Sequence, residues 1–372
     1  MKTINRPDID RILLISDIHL GVRNASFEWI DNMTGYFDNF FIPLMKSYKE
    51  KGDNIAVIIA GDFFDNRQHI DINIMNVGVG IMEKLSSEAE IFVSIGNHDI
   101  YKKKDTNITS LRVFKSFKNV KLIEELTKLE IKNDVKFLIV PWVGDNVEET
   151  KILNKYAGDV NFAVLHSDIA GLNYDNGRQI INGVNIENVN TKIYSGHIHK
   201  RQESKKVTYI GSPYQLRRSD IGNSKGIYSI KVTNTKVKEE FVENNYSPKF
   251  LKIQLDDILE FNIEQIKKLT ENNYVDIIIK RKYMNDINVA KFMEVMDYCN
   301  TKKIELILDK LDTEIIDNPE KASTDLTIED IFKNRISSLD LTSEEQEKLV
   351  AMNTLYLSQA AEQLGGAYDE MK

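Results

Sequence analysis

Ile12-Leu13-Leu14-Ile15-Ser16-Asp17-Ile18-His19 decides the fold: four consecutive apolar residues run into a serine, and two potential metal ligands follow at once. The same order returns in Ile55-Ala56-Val57-Ile58-Ile59, which leads into Gly61-Asp62-Phe63-Phe64-Asp65. It returns again in Ile91-Phe92-Val93-Ser94-Ile95 before Gly96-Asn97-His98-Asp99, and in Phe162-Ala163-Val164-Leu165 before His166-Ser167-Asp168. Runs that are apolar without alternation are expected of strands buried on both faces, as in layered α/β folds. Their polar residues then emerge at the strand ends, where such folds form their binding crevice. Ser195-Gly196-His197-Ile198-His199 adds a last cluster, so five of the six histidines fall in these groups. If the backbone is extended, the spacing in Asp17-x-His19 and His197-x-His199 sends both side chains of each pair the same way. Together the clusters offer enough nitrogen and oxygen donors for two divalent cations.

Each cluster alone reads as an ordinary turn or strand surface, and Gly61, Gly96 and Gly196 read as tight-turn glycines. Their joint occurrence in one order carries the metal-site reading. His69 stands apart in a polar stretch and reads as a solvated loop histidine.

At 372 residues with 42% hydrophobic and 28% charged residues, the chain has the composition of a globular protein with one large domain and smaller additions. No apolar run reaches the roughly 18 residues of a membrane span, and no secretory leader is read at the start. The single cysteine, Cys299, suits a reducing cytoplasm, whether bacterial or that of an infected host. A net charge of -8 gives no overall attraction to nucleic acid, so a phosphate-rich substrate would need local basic patches and the metals.

Alternating strands and helices are expected from about Arg11 to Glu243, with Pro43 interrupting a helix between Phe27 and Lys51. The many late strands predict two packed sheets. The reading divides the chain at 245. Residues 246–310 form a small β-α-β-α-β module, 311–326 a charged linker with Pro319, and 327–372 amphipathic helices with Thr327 and Thr342 as N-caps.

The motifs D-x-H, G-D-x-x-D, G-N-H-D, H and G-H-x-H, intact and in this order, resemble the calcineurin-like metallophosphoesterase superfamily. Within it, Ser16 to Gly21, Pro141-Trp142, His199-Lys200, Tyr209-Ile210-Gly211-Ser212-Pro213-Tyr214 and Lys225-Gly226-Ile227-Tyr228 resemble the SbcD-type DNA nucleases, a group that includes recombination endonuclease subunits of T-even phages. The resemblance is strong over Arg11 to Tyr228 and organisational beyond. It implies a two-sheet, four-layer α-β-β-α sandwich with a small α+β capping domain and C-terminal helices.

It also implies two cations, manganese foremost, one held by Asp17, His19, Asp62 and His199. The other is held by Asp62, Asn97, His166 and His197, with Asp62 as the bridge. His98 would act on the leaving group or a nonbridging oxygen, and Asp65 would orient it. The expected activity is exonucleolytic and endonucleolytic cleavage of DNA. The expected partners are an SbcC-like coiled-coil ABC ATPase that receives the C-terminal helices, and a second copy in a homodimer.

Lys102-Lys103-Lys104, Lys200-Arg201 and Arg217-Arg218 are the candidate phosphate contacts. Tyr101 and Tyr214 are candidates for base stacking. Two other readings stay open: a phosphoesterase for nucleotides or phosphoproteins, and a DNA-end-binding scaffold with a decayed site.

Overall fold

A computed structural model describes residues 1–102, 105–258, 261–280 and 301–308, with positions 342, 346 and 348 beyond them. The chain divides into a unit from Met1 to Asp309 and one from Lys310 to Lys372. In the second unit the Gln346 N–H donates to the Thr342 carbonyl at 3.0 Å, the bond of one helical turn. The expected linker, the remainder of the C-terminal helices and the expected helix at 289–298 lie outside the described residues.

Two sheets form the body of the first unit. The six-stranded sheet runs in the order Val237–Glu243, Gly226–Val232, Arg11–Ile15, Ile55–Ala60, Glu90–Ser94, Val120–Ile123, and the last four are parallel. The seven-stranded sheet runs Lys2–Arg6, Thr127–Ile131, Lys136–Ile139, Phe162–His166, Lys192–Gly196, Val207–Tyr209, Gln202–Glu203.

Alternation explains why the strand runs are apolar throughout. Leu13, Ile15, Val57 and Ile59 pack under the helices Phe27–Tyr36, Ile42–Glu50 and Ile72–Glu88, while Ile12, Leu14, Ala56 and Ile58 meet Phe137, Phe162, Val164 and Tyr194 between the sheets. Ala163, Leu165 and Ile193 face a third core with Leu153 from the helix Asn146–Tyr156. The four layers are helix, sheet, sheet, helix.

Pro43 does interrupt its helix, through a widened π turn at Phe37–Phe41 before Ile42–Glu50. A proline lacks the N–H that would continue the ladder, and the wider turn accommodates it. The strand Lys2–Arg6 was not anticipated: it is an edge strand with a single aliphatic side chain, so no periodicity marks it.

The region after Pro248 forms a parallel three-stranded sheet of Phe250–Gln254, Tyr274–Ile279 and Lys303–Leu308, with the helix Ile263–Thr270 between the first two. It is fastened to the sandwich. Trp29 stacks on Tyr274 and Phe250 at 5.7 and 6.1 Å between ring centroids, and Arg218 pairs with Asp276 and Glu305 at 2.7 and 2.6 Å.

Candidate metal centre

The strand ends that carry the clusters lie side by side, those of Arg11–Ile15, Ile55–Ala60 and Glu90–Ser94 in one sheet and of Phe162–His166 and Lys192–Gly196 in the other. Hydrogen bonds cross from sheet to sheet at this edge. The Nδ1 of His166 contacts the Ala60 carbonyl at 2.7 Å, and the His197 N–H donates to Asp17 Oδ1 at 3.0 Å.

The backbone here is not extended, which corrects the explanation for the two D-x-H and H-x-H spacings. Asp17, His19, Asp62 and His197 all have positive φ, 54°, 49°, 53° and 83°. Left-handed residues cost about 1–3 kcal/mol each and persist where surrounding bonds over-determine them. Asp99 supplies much of that determination for Asp62. Its buried carboxylate accepts the backbone N–H groups of Asp62, Gly96 and Phe63 at 2.8, 2.9 and 3.0 Å.

Three groups of donors converge among the described residues, His19 with Asp65 and His98 in one, and two others that match the expected metal ligands. Asp17, His19 and His199 bring ligand atoms within 4.8 Å of one another, and so do Asp62, His166 and His197. The Nε2 of His166 lies 3.0 Å from Asn97 Oδ1 and 3.1 Å from Asp62 Oδ2, and His197 Nδ1 lies 2.7 Å from Asn97 Oδ1. Adjacent ligands of one divalent ion, each about 2.1 Å from it, stand about 3 Å apart.

Tautomers fit as well. His19 Nδ1 sits 3.0 Å from the Asp65 carboxylate, and His166 Nδ1 sits against a carbonyl, so each Nε2 is a bare donor aimed inward. His197 is turned the other way: its Nε2 is 3.3 Å from Asp168, which frees Nδ1. Asp17 Oδ2 and His19 Nε2 are fully buried with no hydrogen-bond partner, the signature of groups awaiting a cation. The residues present therefore fit two divalent ions.

The electrostatics point the same way. Burial works against charge on His166, but the carboxylates of Asp62 and Asp17 outweigh it and push its pKa up to about 10. Burial raises Asp17, with the nearby Asp62 carboxylate adding to the effect. Such a well of negative potential favours cations.

His98 and Asp65 are brought together, though by a different bond from the one expected. The Asp65 carboxylate serves His19, and it is the Asp65 backbone carbonyl that meets His98 Nδ1. Burial lowers the His98 pKa.

The candidate phosphate contacts separate. Arg217 lies at the mouth, its Nη2 donating to His199 Nδ1 at 2.7 Å, and Lys102 borders a cleft beside His98. Arg218 is committed to the small sheet, and Arg201 is engaged with Glu203 and Tyr228. The backbone N–H of Lys200 donates to Asp175 at 2.9 Å. Lys103 and Lys104 lie outside the described residues. Tyr214 is buried and donates to the Ile18 carbonyl at 2.7 Å, so it cannot stack on a base.

His69 is exposed in its loop. The glycine reading holds at Gly61, with a left-handed φ of 89°, and at Gly96, whose carbonyl accepts the Asp99 N–H at 3.2 Å across a turn; it needs revision at Gly196, which ends a strand and is glycine because a Cβ would meet Ser16 Oγ at 2.0 Å.

Sequence reasoning missed Glu149, a buried carboxyl whose pKa burial raises to about 7. It sits on a helix whose pattern otherwise reads as a solvated face, so no local signal marks it.

A family model, that of the calcineurin-like phosphoesterases, matches residues 10–201, which holds every residue of both donor sets. The chain belongs to that family. This calcineurin-like phosphoesterase is 28% identical to exonuclease subunit 1 of Enterobacteria phage T4 over 239 residues, covering 63% of this chain and 68% of the relative. It is 25% identical to a putative phosphoesterase of Invertebrate iridescent virus 3 over 230 residues, covering 58% of this chain and 60% of the relative. Among the described residues no helix is long and apolar enough to cross a membrane.

Proposed function

We propose that this phosphoesterase is a DNA nuclease, cutting phosphodiester bonds both from ends and internally, with two manganese ions as its working metals. The observation that carries the reading is the convergence of Asp17, His19 and His199 and of Asp62, His166 and His197, with His19 Nε2 only 3.5 Å from Asp62 Oδ2, joined to a relative named an exonuclease subunit. When bound, the two ions polarise the phosphoryl oxygens and supply an acidified water as nucleophile.

The protein's own residues do the rest. Asp17, His19, Asp62 and His199 hold one ion; Asp62, Asn97, His166 and His197 hold the other. Asp65 fixes the His19 ring through its carboxylate and His98 through its carbonyl. With Nδ1 of His98 so held, Nε2 remains to exchange a proton with the leaving oxygen or to bond a nonbridging oxygen. Arg217 at the mouth adds positive charge where a phosphate would enter.

The chain's place in a larger assembly belongs to the same proposal. Residues 246–310 act as a capping domain over the DNA, and the helices from 327 dock on an SbcC-like coiled-coil ABC ATPase in the cytoplasm. Two copies pair through the helices of the phosphoesterase domain, a reading supported by Phe27 and Ile72, which are 79% and 87% exposed on that helical layer. The name of the T4 relative, a subunit, supports membership of a complex. A nucleotide or phosphoprotein phosphoesterase is the second reading, kept by the relative named only as a phosphoesterase.

The test is cleavage of end-labelled duplex and single-stranded DNA with manganese, magnesium or chelator, comparing wild type with His98→Ala. Manganese-dependent cutting that disappears in the variant is the expected result. Hydrolysis of a small phosphodiester with no cutting of DNA would reject the nuclease reading in favour of the second.

A further inference from the structure

Beside the metal centre lies a second cleft of about 490 Å³, lined by Asp65, Asn66, Arg67, Gln68, His98, Tyr101 and Lys102 and not by Arg217. His98 lines this cleft and the metal-centre mouth alike, so the two are contiguous through its ring. The strand Ile100–Lys102 forms an antiparallel ribbon with Asp105–Thr109. Strand alternation buries Ile100 and turns Tyr101 outward, leaving that residue 43% exposed. Lys102 Nζ stands 5.8 Å from the centre of that ring, and Arg67 has no ion pair among the described residues. An exposed aromatic ring three positions after His98, with a lysine and an arginine lining the same cleft, is the combination that binds an unpaired nucleotide: a base stacks on the ring and its phosphate meets the cations.

We propose that this cleft is a nucleotide subsite on the leaving-group side of the scissile phosphate, with Tyr101 stacking on an unpaired base and Arg67 contacting the next phosphate. The inference rests on the nuclease reading and specifies its substrate: a strand whose base beside the cut has left its duplex. A duplex must unstack that base to be cut, so frayed and single-stranded ends are the preferred substrates.

The experiment uses the full chain with manganese and two oligonucleotides, one with a normal base on the leaving side of a defined cleavage position and one abasic there. Wild type is expected to prefer the normal base by about tenfold or more in kcat/KM, the range of one stacked base. In Tyr101→Ala the ratio should fall to about one, while Tyr101→Phe should retain it. Because each ratio is taken within one preparation, folding and metal loading cancel. Arg67→Gln should reduce the slope of log kcat/KM against log salt by about 0.7, one phosphate contact on a single strand. Ratios that are equal in wild type and Tyr101→Ala, with both cutting DNA, would overturn the subsite and leave the nuclease reading standing. A wild type that hydrolyses a small phosphodiester and cuts neither oligonucleotide would overturn both.

Discussion

Gly196→Ala is the most exacting perturbation of the centre, because one methyl group there would touch both sheets at once. Its Cβ would lie 2.0 Å from Ser16 Oγ, 2.7 Å from the Ala60 carbonyl oxygen and 2.7 Å from His166 Nδ1, where ordinary contact begins at 3.4 Å. Relief needs a shift of about 0.7 Å in a backbone oxygen and a histidine ring, and about twice that in the hydroxyl. None of the three is free to move. Ser16 Oγ and His166 Nδ1 both bond to the same Ala60 carbonyl, at 2.9 and 2.7 Å.

Overpacking of this kind costs about 1–3 kcal/mol. Breaking the bond that orients a ligating histidine costs about 10–100-fold in metal affinity. Manganese titration by calorimetry should therefore show one site weakened by that factor, and urea unfolding in chelator should show the stability loss. Ser16→Ala in the same chain removes the closest clash and should restore part of both. Gly80→Ala is the control: its Cβ meets nothing within 4 Å in the helix Ile72–Glu88, and it should stabilise by about 0.5–1 kcal/mol. A Gly196→Ala protein that binds two manganese ions as tightly as wild type would refute the argument that glycine is required for the approach of the sheets.

His98→Ala should abolish DNA cleavage yet bind two equivalents of manganese by calorimetry; loss of an ion would move His98 into the ligand set. Glu149 titrates at about 7 in the folded chain against an ordinary 4.5. The unfolded chain therefore releases its proton first, so in chelator this residue makes stability fall as pH rises from about 4.5 to about 7. Glu149→Gln should flatten that decline by a few kcal/mol in urea titrations at pH 5 and pH 8, and an unchanged pH profile would show that its proton is not retained on folding. Truncation before Thr327 should leave manganese-dependent cutting of short substrates and eliminate co-purification with the ATPase; retained co-purification would place the docking surface elsewhere.

Fold and donor sets were legible because their signals are local. Runs such as Ile55 to Ile59 have no polar position to expose, and the ligand clusters sit directly where those runs stop. What escaped the sequence depends on conformation or distant partners. The left-handed backbone at Asp17 and His19 is set by bonds to the Asp62 loop, including His19 N–H to the Asp62 carbonyl at 3.0 Å. Whether Asp65 meets His98 by carboxylate or carbonyl depends on where His19 stands. Tyr101 and Tyr214 look alike in sequence, and only packing against Tyr36 and the Ile18 carbonyl buries the second. Arg218 followed the same logic: its acidic partners, Asp276 and Glu305, come from a different sheet some 58 or more positions later.

Because the ligands come from both sheets, the order in which the chain is synthesised matters. Asp17, His19, Asp62 and Asn97 leave the ribosome early and can be set by the first parallel strands, yet neither of the two sets proposed to hold the ions is complete without His166, His197 or His199. The strand Lys192–Gly196 must pair beside Phe162–His166 before His197 reaches Asn97. A nascent chain therefore carries no phosphoesterase centre until its second sheet has docked on its first, so the site is assembled by the docking of the two sheets rather than by either sheet alone.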